Sequence, residues 1–313
     1  MIRLIVTRLV LSAVLVVIAS LAIFVLMSFV PGDPARTILG ANATPDLVAR
    51  LREQLGLDQP LPVQYGEWLA GVLHGDLGQS VLSGDPVAQL IAVRLPVTLS
   101  LLLLSTLAIS VIGTVVGLGS AVRGGPLGRL LDTVSLVGLA LPSYWVAIVL
   151  VALFAVAIRV FPATGYQPFV DGPVPWFLSL VLPVAALSLG GITIVAKQMR
   201  DSALDVLGRD YIRVLRASGI RERSIVFKHV LRNAALPSLT VLGITVVGAL
   251  TGAVFVENVF VLPGLGSLVT QATTSHDLPV VLGVGVVFTL VVIVVNLVVD
   301  VLYGVLNPKV RVR

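Results

Sequence analysis

Six long stretches of this chain contain no Asp, Glu, Lys or Arg and are strongly apolar. They are residues 9–32, 95–122, 133–158, 172–196, 233–256 and 278–299. A helix needs about 20 residues to cross a ~30 Å hydrocarbon core, so each window is long enough, with residues left for tilt. Lipid offers the backbone no hydrogen-bond partner, which leaves helices or a closed barrel. A barrel would show alternating segments of about ten residues. Runs such as Leu101-Leu102-Leu103-Leu104 and Val291-Val292-Ile293-Val294-Val295 do not alternate. The windows predict an all-α polytopic membrane protein with six transmembrane helices. A seventh uncharged stretch, 258–276, carries Pro263, Gly264, Gly266, Gln271, Thr273, Thr274 and Ser275 and reads as a loop or partly inserted segment. The first window follows Arg3 and Arg8 but is too long for the apolar core of a signal peptide, so it reads as a retained span.

Composition agrees. Apolar residues make up 57% of the 313, charged residues 12%, and mean hydropathy is +1.05. A water-exposed domain carries about 25% charge. Without cysteine there is no disulfide, thiolate metal site or Cys nucleophile.

The net charge of +5 is unevenly placed. Six spans put both termini on one side, and that side holds 16 of the 21 Lys and Arg. The positive-inside rule then places both termini in the cytoplasm. The chain divides into residues 1–32 (N-terminus and first span), an external helical segment 33–94, a five-helix core 95–303 containing a cytoplasmic loop 199–237, and a tail 304–313.

In the external segment, short helices are expected over 46–55 and 62–73, the second with Tyr65, Trp68, Leu69 and Leu73 on one face. They form either a cap on the outer bilayer surface or a docking surface for another protein. In the basic loop, 200–216 has helical propensity and Gly219 breaks the run. A second run, 222–232, ends before Pro237. Within 197–232, nine basic residues are mixed with Asp201, Asp205, Asp210 and Glu222. Tyr211 and Phe227 are its only aromatic residues, so no nucleic-acid partner is expected.

No catalytic set emerges. His74, His229 and His276 lie in three different loops and form no metal-binding pair. Lys197, Lys228 and Lys309 never follow a glycine, so there is no Walker A loop. Expected catalytic, metal and cofactor residues are therefore none, and ATP-driven transport would need its ATPase on another chain. Asn296 and Asp300, one helical turn apart, read as helix-end packing rather than a proton relay. Gly113 and Gly117 share one helix face and permit close helix approach. Leu141-Pro142-Ser143-Tyr144-Trp145 is expected to break the third span, and Pro183, Gly190 and Gly191 the fourth. Pro142, Ser143, Tyr144, Trp145, Gly190 and Gly191 are thus candidate pathway or helix-bend positions.

Several motifs run the length of the chain in order. They include Pro31-Gly32-Asp33-Pro34-Ala35, Leu55-Gly56-Leu57-Asp58-Gln59-Pro60-Leu61, Gly75-Asp76-Leu77-Gly78-Gln79-Ser80 and Leu141-Pro142-Ser143-Tyr144-Trp145. Further on come Phe161-Pro162-Ala163-Thr164-Gly165-Tyr166, Asp210-Tyr211-Ile212-Arg213, Arg216-Ala217-Ser218-Gly219 and His229-Val230-Leu231-Arg232-Asn233-Ala234-Ala235-Leu236-Pro237. Glu257-Asn258-Val259-Phe260, Pro263-Gly264-Leu265-Gly266 and Asn307-Pro308-Lys309 complete the series. Together they resemble the inner-membrane permeases of dipeptide/oligopeptide (peptide/nickel-type) ABC importers, in the first-permease or B-subunit type.

The resemblance implies the type I ABC importer permease fold in a bacterial plasma membrane. It implies a heterodimer with a second homologous permease, two ATPase subunits that bind ATP and Mg, and an extracytoplasmic solute-binding protein. Di- or oligopeptides are the implied substrate, with nickel chelates, glutathione or haem as alternatives and a stand-alone secondary transporter as the rival class. The basic loop matches the family's EAA-type ATPase-coupling loop, carried here by Asp210, Tyr211, Arg213, Arg216, Ala217, Gly219, Glu222 and Pro237. It departs from the pattern at Arg213-Val214-Leu215 and at Ser218, where a lysine is usual. His276-Asp277 stands where Arg-Asp is usual.

Overall fold

The computed structural model describes residues 2–40, 43–126, 128, 130, 138 and 141–306. Asp132, most of the first third of the 133–158 window and Asn307-Pro308-Lys309 lie outside the described residues. Among those described there is no strand, only an isolated bridge between Gln79 and Pro86.

Among the described residues, five helices are long and apolar enough to cross a membrane. In chain order the helices are α1 (Ile2–Ser28), α2 (Pro34–Leu39), α3 (Pro45–Gln54), α4 (Leu61–Leu73) and α5 (Val87–Arg123). There follow α6 (Ser143–Leu150), α7 (Pro173–Leu207), α8 (Asp210–Ala217), α9 (Leu231–Val259), α10 (Leu265–Thr274) and α11 (Leu278–Leu306). The third predicted window is represented by α6, which continues in π-helical form over Val151–Ala157. It starts directly after Pro142, and Leu141 and Pro142 are themselves non-helical. A proline here lacks the N–H that would continue a helix and biases the residue before it towards extended backbone.

Three expectations are corrected. First, α7 passes unbroken through Pro183, Gly190 and Gly191. Flanking packing holds a helix through such residues in a membrane protein. Gly191 is a close-packing position, since a Cβ there would overlap Ile109 Cδ1 at 2.6 Å and Thr245 Cγ2 at 2.8 Å. Second, the run beginning at Glu222 does not stop before Pro237. It passes through the π-helical turn Ile225–Val230 into α9, with Pro237 inside that helix. Burial of Ile225, Val230 and Ala234 on both sides of the junction holds it in register. Third, 258–276 is not simply a loop. It contains α10, whose Leu265, Leu268 and Ala272 are buried.

The chain forms two compact units, Met1–Thr98 with Pro263–Ile293, and Leu99–Leu262 with Val294–Arg313. In the first, Val87, Ile91, Leu265, Leu268, Ala272, Val280, Val281 and Val284 form a core, with Ile23, Met27 and Leu77 packed against it. Here α4 lies alongside α1, not beyond its end. The Tyr65 hydroxyl donates to the Val17 carbonyl at 3.2 Å, and its ring meets that of Phe24 at 5.5 Å. Leu73, expected on the same face as Tyr65, is 80% exposed. Asp33 caps α2 through the Ala35 N–H at 3.0 Å and pairs with Arg52 at 3.1 Å, while Arg52 also reaches Asp58 at 2.9 Å. Those two carboxylates raise the pKa of the Arg52 guanidinium. The same unit holds Asp277, which is 3% exposed and accepts from the Ser80 hydroxyl and the Val81 N–H.

In the second unit, the Gly113/Gly117 stripe of α5 packs on α7 as the spacing predicts. A Cβ at Gly113 would meet Val195 Cγ1 at 2.9 Å, and one at Gly117 would meet Met199 Cβ at 2.8 Å.

Candidate coupling site

The basic loop is two short helical pieces joined by a fixed turn. α8 closes in a Schellman motif. The Gly219 N–H donates to Arg216 O at 3.0 Å and the Ile220 N–H to Leu215 O at 3.2 Å. This motif needs a left-handed residue after the cap, and Gly219 supplies it at φ +78. No heavy atom lies within 4 Å of where a Gly219 Cβ would stand, so the glycine answers a backbone demand, not a lack of space.

Across that turn, Arg216 and Glu222 pair in bidentate geometry. Nη2 donates to Oε1 at 2.6 Å and Nε to Oε2 at 3.1 Å. Accepting these bonds lowers the Glu222 pKa from the usual carboxylate value and raises that of Arg216. Both side chains are about half exposed, at 50% and 46%. Asp210 and Arg213 pair at 3.3 Å on the exposed side of α8. Tyr211 Oη accepts from Asn233 Nδ2 at 3.4 Å, which links α8 to α9. Ala217 ends α8 and is exposed.

The underside of the loop is apolar. Ile212, Ile225 and Val230 are fully buried, in one cluster with Leu118, Ala121, Met199, Ala203, Val206 and Ala234 from the adjoining ends of α5, α7 and α9. α8 is therefore keyed to three long helices through Ile212, while Tyr211, Arg213, Val214, Arg216 and Ala217 face outward. α8 and those helix ends thus share one close-packed cluster.

The eight loop residues named from sequence do not all share one role. Asp210, Tyr211, Arg213, Arg216, Ala217, Gly219 and Glu222 lie on α8 and its turn, and Pro237 lies inside α9. Sequence reasoning missed the anchors Ile212, Ile225 and Val230. The apolar positions among charged neighbours in 210–230 were the available signal. Of the pathway candidates, Pro142, Ser143, Tyr144 and Trp145 start α6, Gly190 lies 3.5 Å from the Gly138 carbonyl as measured from its would-be Cβ, and Gly191 is buried.

Fold and loop together define a multi-pass helical membrane protein whose basic surface loop packs on the ends of its long helices. Residues 109–312 match the family described as binding-protein-dependent transport system inner membrane component, and residues 1–102 match the N-terminal model of such components. The chain belongs to this family: it is the permease subunit of an ABC importer. A Brucella abortus protein bearing the name of a peptide transport system permease is 42% identical over 295 residues, covering 94% of each chain. A Sinorhizobium fredii protein named as a peptide ABC transporter permease is 39% identical, covering 97% of each. The glutathione transport system permease of Salmonella paratyphi A is 36% identical, covering 95% of this chain and 94% of its own. A solved inward-facing structure of the MetNI methionine ABC transporter superposes with a TM-score of 0.55 at 18% identity, over 70% of this chain and 97% of that one. At that identity it supports the fold, the type I importer permease fold.

Proposed function

We propose that this chain forms half of the translocation pathway for di- and oligopeptides, with loop 199–237 as its connection to an ATPase. A second homologous permease supplies the other half. Two ATPase subunits bind ATP and Mg, and an extracytoplasmic binding protein delivers the substrate. Both termini lie in the cytoplasm of a bacterial cell, on the side rich in Lys and Arg. This chain binds no cofactor of its own.

The observation that carries the reading is the anchoring of α8 through Ile212 on the ends of α5, α7 and α9 while its opposite face stays open. The loop holds no catalytic group, so it acts by differential contact with two ATPase states. The peptide assignment is supported by the names of the relatives, and the glutathione permease among them makes a modified tripeptide the nearest alternative.

The test is co-expression with a second permease, two ATPase subunits and a binding protein of the same transporter family from the same cell. Copurification of two ATPase subunits, with vanadate-sensitive uptake of labelled dipeptide, is expected. Uptake by this chain alone, insensitive to vanadate, would contradict the reading.

A further inference from the structure

The run that carries the chain from the Gly219 turn into α9 has an outer face of its own, distinct from that of α8. Ile225, Val226, Val230 and Ala234 bury one side of the run in the cluster beneath the loop. Arg223, Phe227, Lys228 and Arg232 are exposed on the other, Phe227 at 59%. Arg223 and Phe227 stand one turn apart, as do Lys228 and Arg232, so they form two adjacent rows. Asn233, which bonds to Tyr211 of α8, lies about one and a half turns on from Phe227. α8 is therefore on the side away from the ring.

The level of this face follows from the sequence. Arg232 is the last charged residue before the uncharged window 233–256, which lies within a membrane-spanning helix. Lys228 is about 8 Å outside the start of that window along the helix, and Phe227 about 9 Å. One headgroup layer is about 5–8 Å thick, so Arg232 and Lys228 span it, with the Phe227 ring at its edge. The long stem of Arg223 lets its guanidinium reach towards the same layer from one turn further out. Charge here is of one sign. Among the described residues Arg223, Lys228 and Arg232 form no ion pair, whereas Arg213 and Arg216 of the same loop are paired with Asp210 and Glu222. The next acidic residue after Glu222 is Glu257, near the far end of α9. An exposed phenyl ring among unpaired cations, at the foot of a membrane helix, has the composition of a contact with anionic headgroups. Exposure to water alone would suit the cations and leave the ring uncovered.

We propose that Arg223, Phe227, Lys228 and Arg232 form a binding site for an anionic phospholipid of the adjoining leaflet. Lys228 and Arg232 hold the phosphate, Arg223 adds a third positive charge, and Phe227 packs at the boundary with the acyl chains. The run is continuous with the Gly219 turn, so the bound lipid ties the loop to the membrane surface on the side that α8 leaves open.

The experiment places benzoylphenylalanine at 227 in the full chain with the subunits that copurify with it, in nanodiscs of equal parts phosphatidylglycerol and phosphatidylcholine. Photo-crosslinking is expected to favour phosphatidylglycerol. Lys228→Gln and Arg232→Gln, each alone, should lower that preference about five-fold. The charge-keeping exchanges Lys228→Arg and Arg232→Lys should retain it, and high salt should weaken it. Equal yields with the two lipids, a preference unchanged in both glutamine variants, or crosslinking to a protein subunit in place of lipid overturns the proposal. The readout is lipid contact and not uptake, so the result holds whatever substrate the importer carries.

Discussion

Arg216 and Glu222 clasp the turn at Gly219 through two hydrogen bonds, of 2.6 and 3.1 Å, so that α8 and the helix that becomes α9 leave the turn at a fixed angle. Neither residue belongs to the buried cluster beneath, so the pair sets geometry while Ile212 and Ile225 supply adhesion. Because both side chains are half exposed, the pair's effect on stability is small, below about 1 kcal/mol after solvent screening. Arg216→Ala or Glu222→Ala should leave protein level and melting temperature near wild type while uptake falls several-fold at unchanged assembly. The double exchange Arg216→Glu with Glu222→Arg should recover part of it. A large drop in melting temperature would show that the pair is mainly structural.

The pH dependence of this clasp follows from the lowered Glu222 pKa. A carboxylate held below its unfolded value contributes stability that is present above that value, about 4.3, and lost as pH falls through the folded one. The clasp is therefore complete at pH 6 to 8, and uptake of a neutral peptide should show no inflection from it there. If Glu222→Gln changes the shape of the uptake profile between pH 6 and 8, this assignment fails.

Gly219 at φ +78 is the position where substitution strains the backbone most directly. Gly219→Ala costs about 1–2 kcal/mol in this conformation, and Gly219→Asn less, because Asn tolerates the left-handed region. Gly219→Pro cannot adopt it at all. Uptake should fall in the order Asn, Ala, Pro, with the ATPases still copurifying. Normal ATP-driven uptake by the proline variant at wild-type assembly would contradict the coupling assignment.

Asp277 holds the 80–82 turn by accepting from Ser80 and the Val81 N–H while almost fully buried. Asp277→Ala leaves those donors unpaired inside the protein, a loss of about 1–3 kcal/mol. Limited proteolysis should cut the variant within 80–86 faster than wild type, with Asp277→Asn intermediate. Equal cleavage of all three would show that the contact is dispensable.

Gly113 and Gly117 let α5 approach α7. Gly117→Val forces a branched side chain against Met199, and overpacking of this kind costs about 1–3 kcal/mol. Reduced membrane level and early elution or aggregation on size-exclusion chromatography are expected. The control Gly119→Val, where a Cβ meets nothing within 4 Å, should behave as wild type.

Apolar length made the spans legible, and the Gly113/Gly117 spacing made one helix contact legible, because both depend on local pattern alone. The breaks were harder to read. α6 begins only after Pro142, whereas α7 and α9 run through Pro183 and Pro237, held by neighbouring helices that no single segment records. The coupling loop was legible as helix, glycine, helix. The joining of its second part to α9 was not, because Ile225, Val230 and Ala234 find their partners on α5 and α7, far away in sequence. Likewise α10 was hidden by its hydroxyl and glycine content, and its burial depends on Val87, Ile91 and Val280.

In the proposed function, the open face of α8 meets the ATPase and moves with it. Val214, 62% exposed on that face, offers a direct test, and the chain has no native cysteine to interfere. Val214→Cys should form a disulfide or bifunctional crosslink to a cysteine in the ATPase subunit of the assembled importer, with a yield that changes between nucleotide-free and vanadate-trapped states. Functional uptake by this variant with no crosslink to the ATPase, under any nucleotide condition and with the ATPase cysteine varied across its permease-facing surface, would contradict the account.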